Sequence, residues 1–183
     1  MGEHRCGNKT ILIVDMLNGF CRAGNLASAR LDSITERLRE HLTREQAAGT
    51  DLVFLADTHK VDDPEFAMFP PHCVEGSGEE EIVPELAGLA ERGYVVRKNT
   101  FSGFYGTGLD ELLGRLAPDV VEVTGVCTDI CVLHTVYDLR VRGYKVAVPH
   151  DLVETFDAPG HDADEITRFA LAHIRDVLGA TVT

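Results

Sequence analysis

Short apolar runs that close on a polar residue alternate with segments of helical period along nearly the whole chain. Residues 11–14 run into Asp15, 52–56 into Asp57 and 94–96 towards Lys98. Residues 120–126 run into Cys127, 144–148 towards His150 and Asp151, and a last run spans 180–182. These six runs predict strands, several of them apolar at successive positions, as strands buried on both faces must be. Between them, segments 27–48, 79–92, 109–116, 128–142 and 162–178 carry apolar residues at helical spacing. Gly49, Gly93, Gly143 and Gly179 stand where each helix should stop before the next strand. The alternation predicts an α/β fold: a single-domain, doubly wound, six-stranded parallel sheet with helices on both faces.

One stretch breaks the rhythm. Residues 58–78 hold Pro64, Pro70, Pro71 and two glycines, and an irregular loop of that length inside a domain is usually functional. No internal repeat or linker divides the 183 residues, a length that suits one domain with a real core. Residues 1–9 read as a flexible N-terminal tail and 10–183 as the domain. The opening is polar and mixed in charge, and the run 11–14 is too short for a targeting or membrane segment.

A formal charge of -13 argues against nucleic acid or an anionic membrane surface as partner, because both would repel it. Five cysteines (Cys6, Cys21, Cys73, Cys127 and Cys131) are an odd number without framework spacing, and Cys127 and Cys131 do not make a CxxC pair. Reduced thiols and a cytoplasmic location follow most simply.

Ligands of a doubly wound sheet bind beyond the carboxyl ends of its strands. Asp15, Asp57, Lys98 and the 127–131 turn all fall there. Any one of them alone reads more readily as a solvated loop residue; the four together, with a cysteine, point instead to a binding crevice with catalytic residues. Cys131 is the candidate nucleophile, in the first turn of the helix after Cys127, where free N–H groups and the positive dipole end would favour a thiolate and suit an oxyanion hole. Asp15 or a histidine could be its base. The plain alternative is a buried, inert thiol, and Cys127 is either such a packing residue or a backbone donor. A second group, Asp57, His59, Glu65 and His72, brings imidazoles and carboxylates to one strand end and the long loop, a ligand set for zinc, iron or manganese. His4, His41, His134, His161 and His173 read as surface or packing residues, and His150 stays open.

V-D-M-L-N-G-F around Asp15, R-K-N-T-F-S-G-F around Lys98 and G-V-C-T-D-I-C-V around Cys131 resemble the three catalytic blocks of the cysteine hydrolases that include nicotinamidases, N-carbamoylsarcosine amidohydrolases and isochorismatases. The likeness runs from about Thr10 to Thr183, and its last block is highly specific. Isochorismatases proper lack the cysteine, so Cys131 points to the amidase side. Asp57, His59 and the F-P-P-H-C around His72 look like the metal site of nicotinamidases, with Glu65 resembling a fourth ligand in some members. The resemblance implies strand order 3-2-1-4-5-6 and a cis peptide between Val126 and Cys127. Phe20 and Phe101 match aromatic, substrate-binding wall positions and could equally be core residues. The chain departs from many nicotinamidases in having no Trp.

The implied reaction is hydrolysis of nicotinamide to nicotinate and ammonia, a step of NAD salvage, through a Cys131 thioester. Asp15 would be base and then acid, with Lys98 holding it ionised. The N–H groups of Cys127 and Cys131 would form the oxyanion hole. One divalent metal, zinc foremost and iron or manganese as alternatives, would orient the pyridine ring. The partner is then a small carboxamide, with a homo-oligomer left open. The alternatives are another carboxamide or carbamoyl cysteine hydrolase, a metal-hydroxide hydrolase with Cys131 a bystander, and a non-catalytic metal- or ligand-binding scaffold.

Overall fold

The computed structural model describes residues 8–183. Seven strands, β1 (Lys9–Val14), β2 (Asp51–Asp57), β3 (Tyr94–Lys98), β4 (Val120–Val126), β5 (Val146–Val148), β6 (Val153–Glu154) and β7 (Thr181–Val182), form one sheet. Its path is β3-β2-β1-β4-β5-β7, with β6 paired to β4, and every pairing is parallel. The six expected strands are therefore present in the expected 3-2-1-4-5-6 order. The addition is β6, which continues the place of β5 beside β4: Val121 and Glu122 pair with β5, Gly125 and Val126 with β6. Pro149, without an N–H, falls in the break between the two pieces.

The helices are α1 (Asn18–Cys21), α2 (Ala29–Asp32), α3 (Thr35–Ala47), α4 (Pro84–Ala90), α5 (Leu109–Leu116), α6 (Leu133–Val141) and α7 (Ala163–Asp176). The single helix read over 27–48 is two, and the one read over 79–92 starts only at Pro84, whose ring suits a first helical turn. In β1, Ile11 and Ile13 pack with Leu38 and Leu42 of α3 and Leu86 of α4. Leu12 and Val14 face the other way, onto Leu112 and Leu113 of α5, Val136 of α6 and Ile174 of α7. The period-two alternation thus serves two cores, one on each face.

Most of the expected tail, residues 1–7 with His4 and Cys6, lies outside the described residues. Asn8 and Lys9 do not belong to it. The Asn8 amides donate to Asp119 and Leu116, and Lys9 opens β1. Of the expected helix stops, Gly93 does not have a positive φ; a Cβ there would lie 2.7 Å from the Leu52 carbonyl, so close packing on β2 requires it.

Candidate active site and metal centre

The carboxyl edge of the sheet gathers the candidate residues because parallel strands end on the same side. Asp57 and Lys98 are direct partners in the β2–β3 register, and Asp15 follows the last residue of β1. Asp15 has φ +51 and donates its N–H to Leu55. An aspartate tolerates this left-handed turn better than most side chains. Its Oδ1 accepts the Asp57 N–H at 3.0 Å. The fully buried Lys98 Nζ lies 2.8 Å from Asp15 Oδ2, 3.1 Å from Asp57 Oδ1 and 3.7 Å from Cys131 Sγ. One ammonium therefore touches the candidate base, a candidate metal ligand and the candidate nucleophile.

Burial raises the Asp15 carboxyl to about 6 against the pull of Lys98, and the Asp57 charge adds to the rise. For Asp57 the same burial is overcome by the Lys98 charge and by His59 and His72, which hold it well below the usual carboxylate range. Burial works against the Lys98 charge, yet its two carboxylates keep it well above its ordinary value. Cys131 departs from the expectation of a favoured thiolate: burial pushes its thiol well above the ordinary value, with Lys98 opposing and Asp15 and Asp57 reinforcing. That direction favours the thiol over the thiolate, so a nucleophilic role for Cys131 calls for a base to take its proton.

The turn holding Cys131 also differs from a plain helix start. After a cis Val126–Cys127 peptide, residues Thr128–Val132 form a π-helical turn, and α6 begins at Leu133. The Cys127 carbonyl accepts from the N–H of both Ile130 and Val132 at 3.1 Å. Gly125 lets β4 approach β1 just before this turn: its φ is +104 and a Cβ would lie 2.1 Å from the Val14 carbonyl.

The long loop returns on itself beside β2. The His59 N–H donates to the Cys73 carbonyl and the Glu75 N–H to the His59 carbonyl, at 3.0 and 2.9 Å. That pairing sets His72 next to His59. Asp57, His59, Glu65 and His72 are all buried and offer ligand atoms within 4.8 Å of one another. His59 Nε2 and His72 Nε2 lie 3.0 and 3.3 Å from Asp57 Oδ2, and Glu65 Oε1 lies 4.0 and 3.8 Å from the same two nitrogens. Pro64 starts a short 3-10 turn, Pro64–Ala67, whose Asp63 cap accepts the Glu65 N–H at 2.9 Å. Asp63 Oδ2 also stands 3.2 Å from His59 Nδ1, without hydrogen-bond alignment, and accepts from Asn99. The His72 Nδ1 faces the Pro70 carbonyl at 2.8 Å. Each imidazole thus points Nε2 inwards and has an oxygen behind Nδ1, as metal-binding histidines do. Two imidazoles and two carboxylates buried this closely suit a divalent cation, and the donor set fits zinc.

A cavity of about 370 Å³ opens onto Asp15, Asp57, Glu65, His72, Cys127 and Cys131. Phe20 and Phe101 line it, where they were expected. Phe69 and Phe156 line it as well and were not singled out from the sequence. The Phe69 ring lies 6.0 Å from Phe101 and 6.3 Å from His72. Asp63 and Asn99 were also missed, although Asp63 stands directly before the Pro64 turn as a cap should. Among the histidines, His41 pairs with the buried Glu122 at 2.6 Å, and His150 approaches the Thr183 carbonyl, away from the cavity. His161 is more than a surface residue: its ring stacks on Phe156 and its Nε2 meets Asp129.

The isochorismatase domain family matches residues 9–181. Nicotinamidase 1 of Arabidopsis thaliana is 32% identical over 92% of this chain and 78% of its own length. The crystal structure of pyrazinamidase/nicotinamidase from Streptococcus mutans UA159 superposes with a TM-score of 0.87 at 30% identity, covering 96% of this chain and all of that one. A pyrazinamidase of Pyrococcus horikoshii in complex with zinc shares the fold, with a TM-score of 0.84 at 24% identity over 96% of this chain and 98% of that one.

Proposed function

The chain belongs to the isochorismatase family, and from that premise we propose that it is a nicotinamidase, hydrolysing nicotinamide to nicotinate and ammonia through a Cys131 thioester. The observation that carries this reading is the position of Lys98, within 3.7 Å of Cys131 and closer still to Asp15 and Asp57. It joins acid–base machinery to the metal-type cluster in one unit. The relatives named nicotinamidase support the amide as substrate.

Asp15 is the base. Raised to about 6, it is ionised at neutral pH and still basic enough to share the thiol proton. As Sγ bonds to the amide carbon, its proton passes to Asp15, and the charge growing on the carbonyl oxygen meets the N–H groups of Cys127 and Cys131. The C–N bond then breaks, the proton on Asp15 leaves with ammonia, and the acyl group stays on sulfur. Water attacks the thioester with Asp15 again as base, which frees the acid and restores the thiol. Lys98 favours the ionised Asp15 carboxylate at the points of the cycle where it must act as base.

Asp57, His59, Glu65 and His72 would hold one divalent cation, zinc by preference. Bound there, the ion would hold the pyridine nitrogen and so orient the ring. Phe20 and Phe101, with Phe69, supply the apolar walls for that ring. Burial of Cys131 beside Lys98 and Asp15 favours the thioester route over a bystander cysteine.

The deciding experiment measures ammonia release from nicotinamide by the metal-loaded protein and by Cys131→Ala. Turnover in the parent and none in a folded variant is the expected outcome. A folded Cys131→Ala protein with near-parental activity would overturn the covalent route.

A further inference from the structure

Asp129 lies on the nucleophile turn between Cys127 and Cys131, yet its carboxylate points away from the reaction and into the segment that follows β6. Its Oδ1 accepts from the buried Thr155 hydroxyl at 2.6 Å, and its Oδ2 meets His161 Nε2 at 3.0 Å. The His161 ring lies flat against Phe156, with centroids 4.4 Å apart and planes 5° apart, and its Nδ1 approaches the Phe156 carbonyl at 2.8 Å. Phe156 is a wall of the catalytic cavity. A reverse turn brings His161 back: its N–H donates to the Ala158 carbonyl at 2.8 Å, with Pro159 and Gly160 (φ +78) as the central pair. Proline then glycine is the pair that a type II turn selects. One carboxylate therefore grips both ends of this segment, and the histidine it holds backs the aromatic wall.

We propose that Asp129 and His161 form a positioning pair that fixes the Phe156 wall against the nucleophile turn, so that a side-chain link sets the placement of an aromatic amide relative to Cys131. Neither residue touches the reacting atoms, so the pair acts on binding geometry. Replacing Asp129 would free Thr155 and His161 together and alter the nucleophile turn itself, whereas replacing His161 leaves Asp129 its Thr155 partner, so His161 is the residue to change.

This inference rests on the nicotinamidase reading for its kinetic test, and hydrogen exchange supplies a second readout that needs no turnover. In metal-loaded His161→Ala, kcat/KM for nicotinamide and for benzamide should fall about tenfold, the loss that about 1.4 kcal/mol of positioning produces, through a higher KM together with a lower kcat, because placement at the reacting carbon is lost as well as binding. Amide exchange should rise together in residues 127–132 and 155–161 and stay at parental levels in β1 and β2. His161→Gln, which can still donate to Asp129, should recover most of the kcat/KM. Unchanged kcat/KM with unchanged exchange at 127–132 would overturn the proposal. So would a rise in exchange spread over the whole sheet, the mark of a merely structural residue. If the parent protein turns over neither aromatic amide, the nicotinamidase reading fails, and the paired rise in exchange alone decides this one.

Discussion

Lys98→Met preserves the length and apolar bulk of the side chain and removes only its charge, which isolates the electrostatic work of this residue. At 2.8 Å from Asp15, a charge pair in a medium of effective dielectric ~20 attracts by about 6 kcal/mol. Part of that is recovered by relaxation, and an ion-paired carboxylate typically rises by roughly 1–3 pH units when its cation goes. Asp15, already raised to about 6 by burial, would then be protonated at neutral pH. The acid limb of kcat/KM, set by the need for an ionised Asp15, should move up by those roughly 1–3 units. Activity at pH 7 falls accordingly, and raising the pH restores part of it. A metal ion beside Asp57 would lower Asp15 in parent and variant alike, so the comparison is between their two limbs and not with the metal-free value. Stability supplies the sign check. A carboxyl whose folded pKa lies above its unfolded value stabilises the fold at low pH, and that contribution is lost as pH rises through the folded pKa. The deficit of Lys98→Met in Tm should therefore widen as pH rises through the parent's acid limb and level off above the variant's own limb. The assays are ammonia release against pH and thermal unfolding against pH, both on metal-loaded protein. An acid limb at the parental pH, with only kcat lowered, would refute the reasoning and mean that Lys98 acts on the substrate directly.

Three further outcomes follow from the same geometry. His72→Ala should lose bound metal, read by elemental analysis, and raise KM for nicotinamide far more than for benzamide, which has no ring nitrogen; an unchanged preference in folded, metal-free protein would show that the ion does not read the ring. Asp15→Asn should lower the rate by about three orders of magnitude and the Asp15→Asn/Lys98→Met double variant by little more, because residues that act as one unit are non-additive; additive losses would separate their roles. Amides that carry a carboxylate should have kcat/KM roughly tenfold or more below nicotinamide: Lys98 and a divalent cation would offset Asp15, Asp57 and Glu65, which leaves Asp157 uncompensated, and among the described residues no Lys or Arg lines the cavity to pair a carboxylate. Comparable turnover of N-carbamoylsarcosine would contradict that.

The strand pattern and the gathering of Asp15, Asp57 and Lys98 at one edge were legible in the residues themselves, while the order of the sheet came with the family resemblance. The reason is local: apolar runs of strand length in a β-α alternation force parallel strands, and parallel strands put their last residues on a common side. The metal-type cluster was legible for a related reason, since Asp57 and His59 share a strand end and Pro70-Pro71 stiffen the loop before His72. Other features were decided by packing between residues far apart in sequence. Burial of Cys131 reverses the thiolate preference that a helix start would impose, and no local pattern encodes how much solvent a fold removes from one sulfur. Phe69 and Phe156 become cavity walls only when the long loop and the segment after β6 close over the sheet edge. His161, unremarkable among eight histidines, acquires partners from Asp129, 32 residues earlier. The sequence by itself determines which residues end strands. Only the tertiary structure decides which side chains meet beyond those ends and how strongly burial shifts their charges, because both depend on segments that the fold alone brings together.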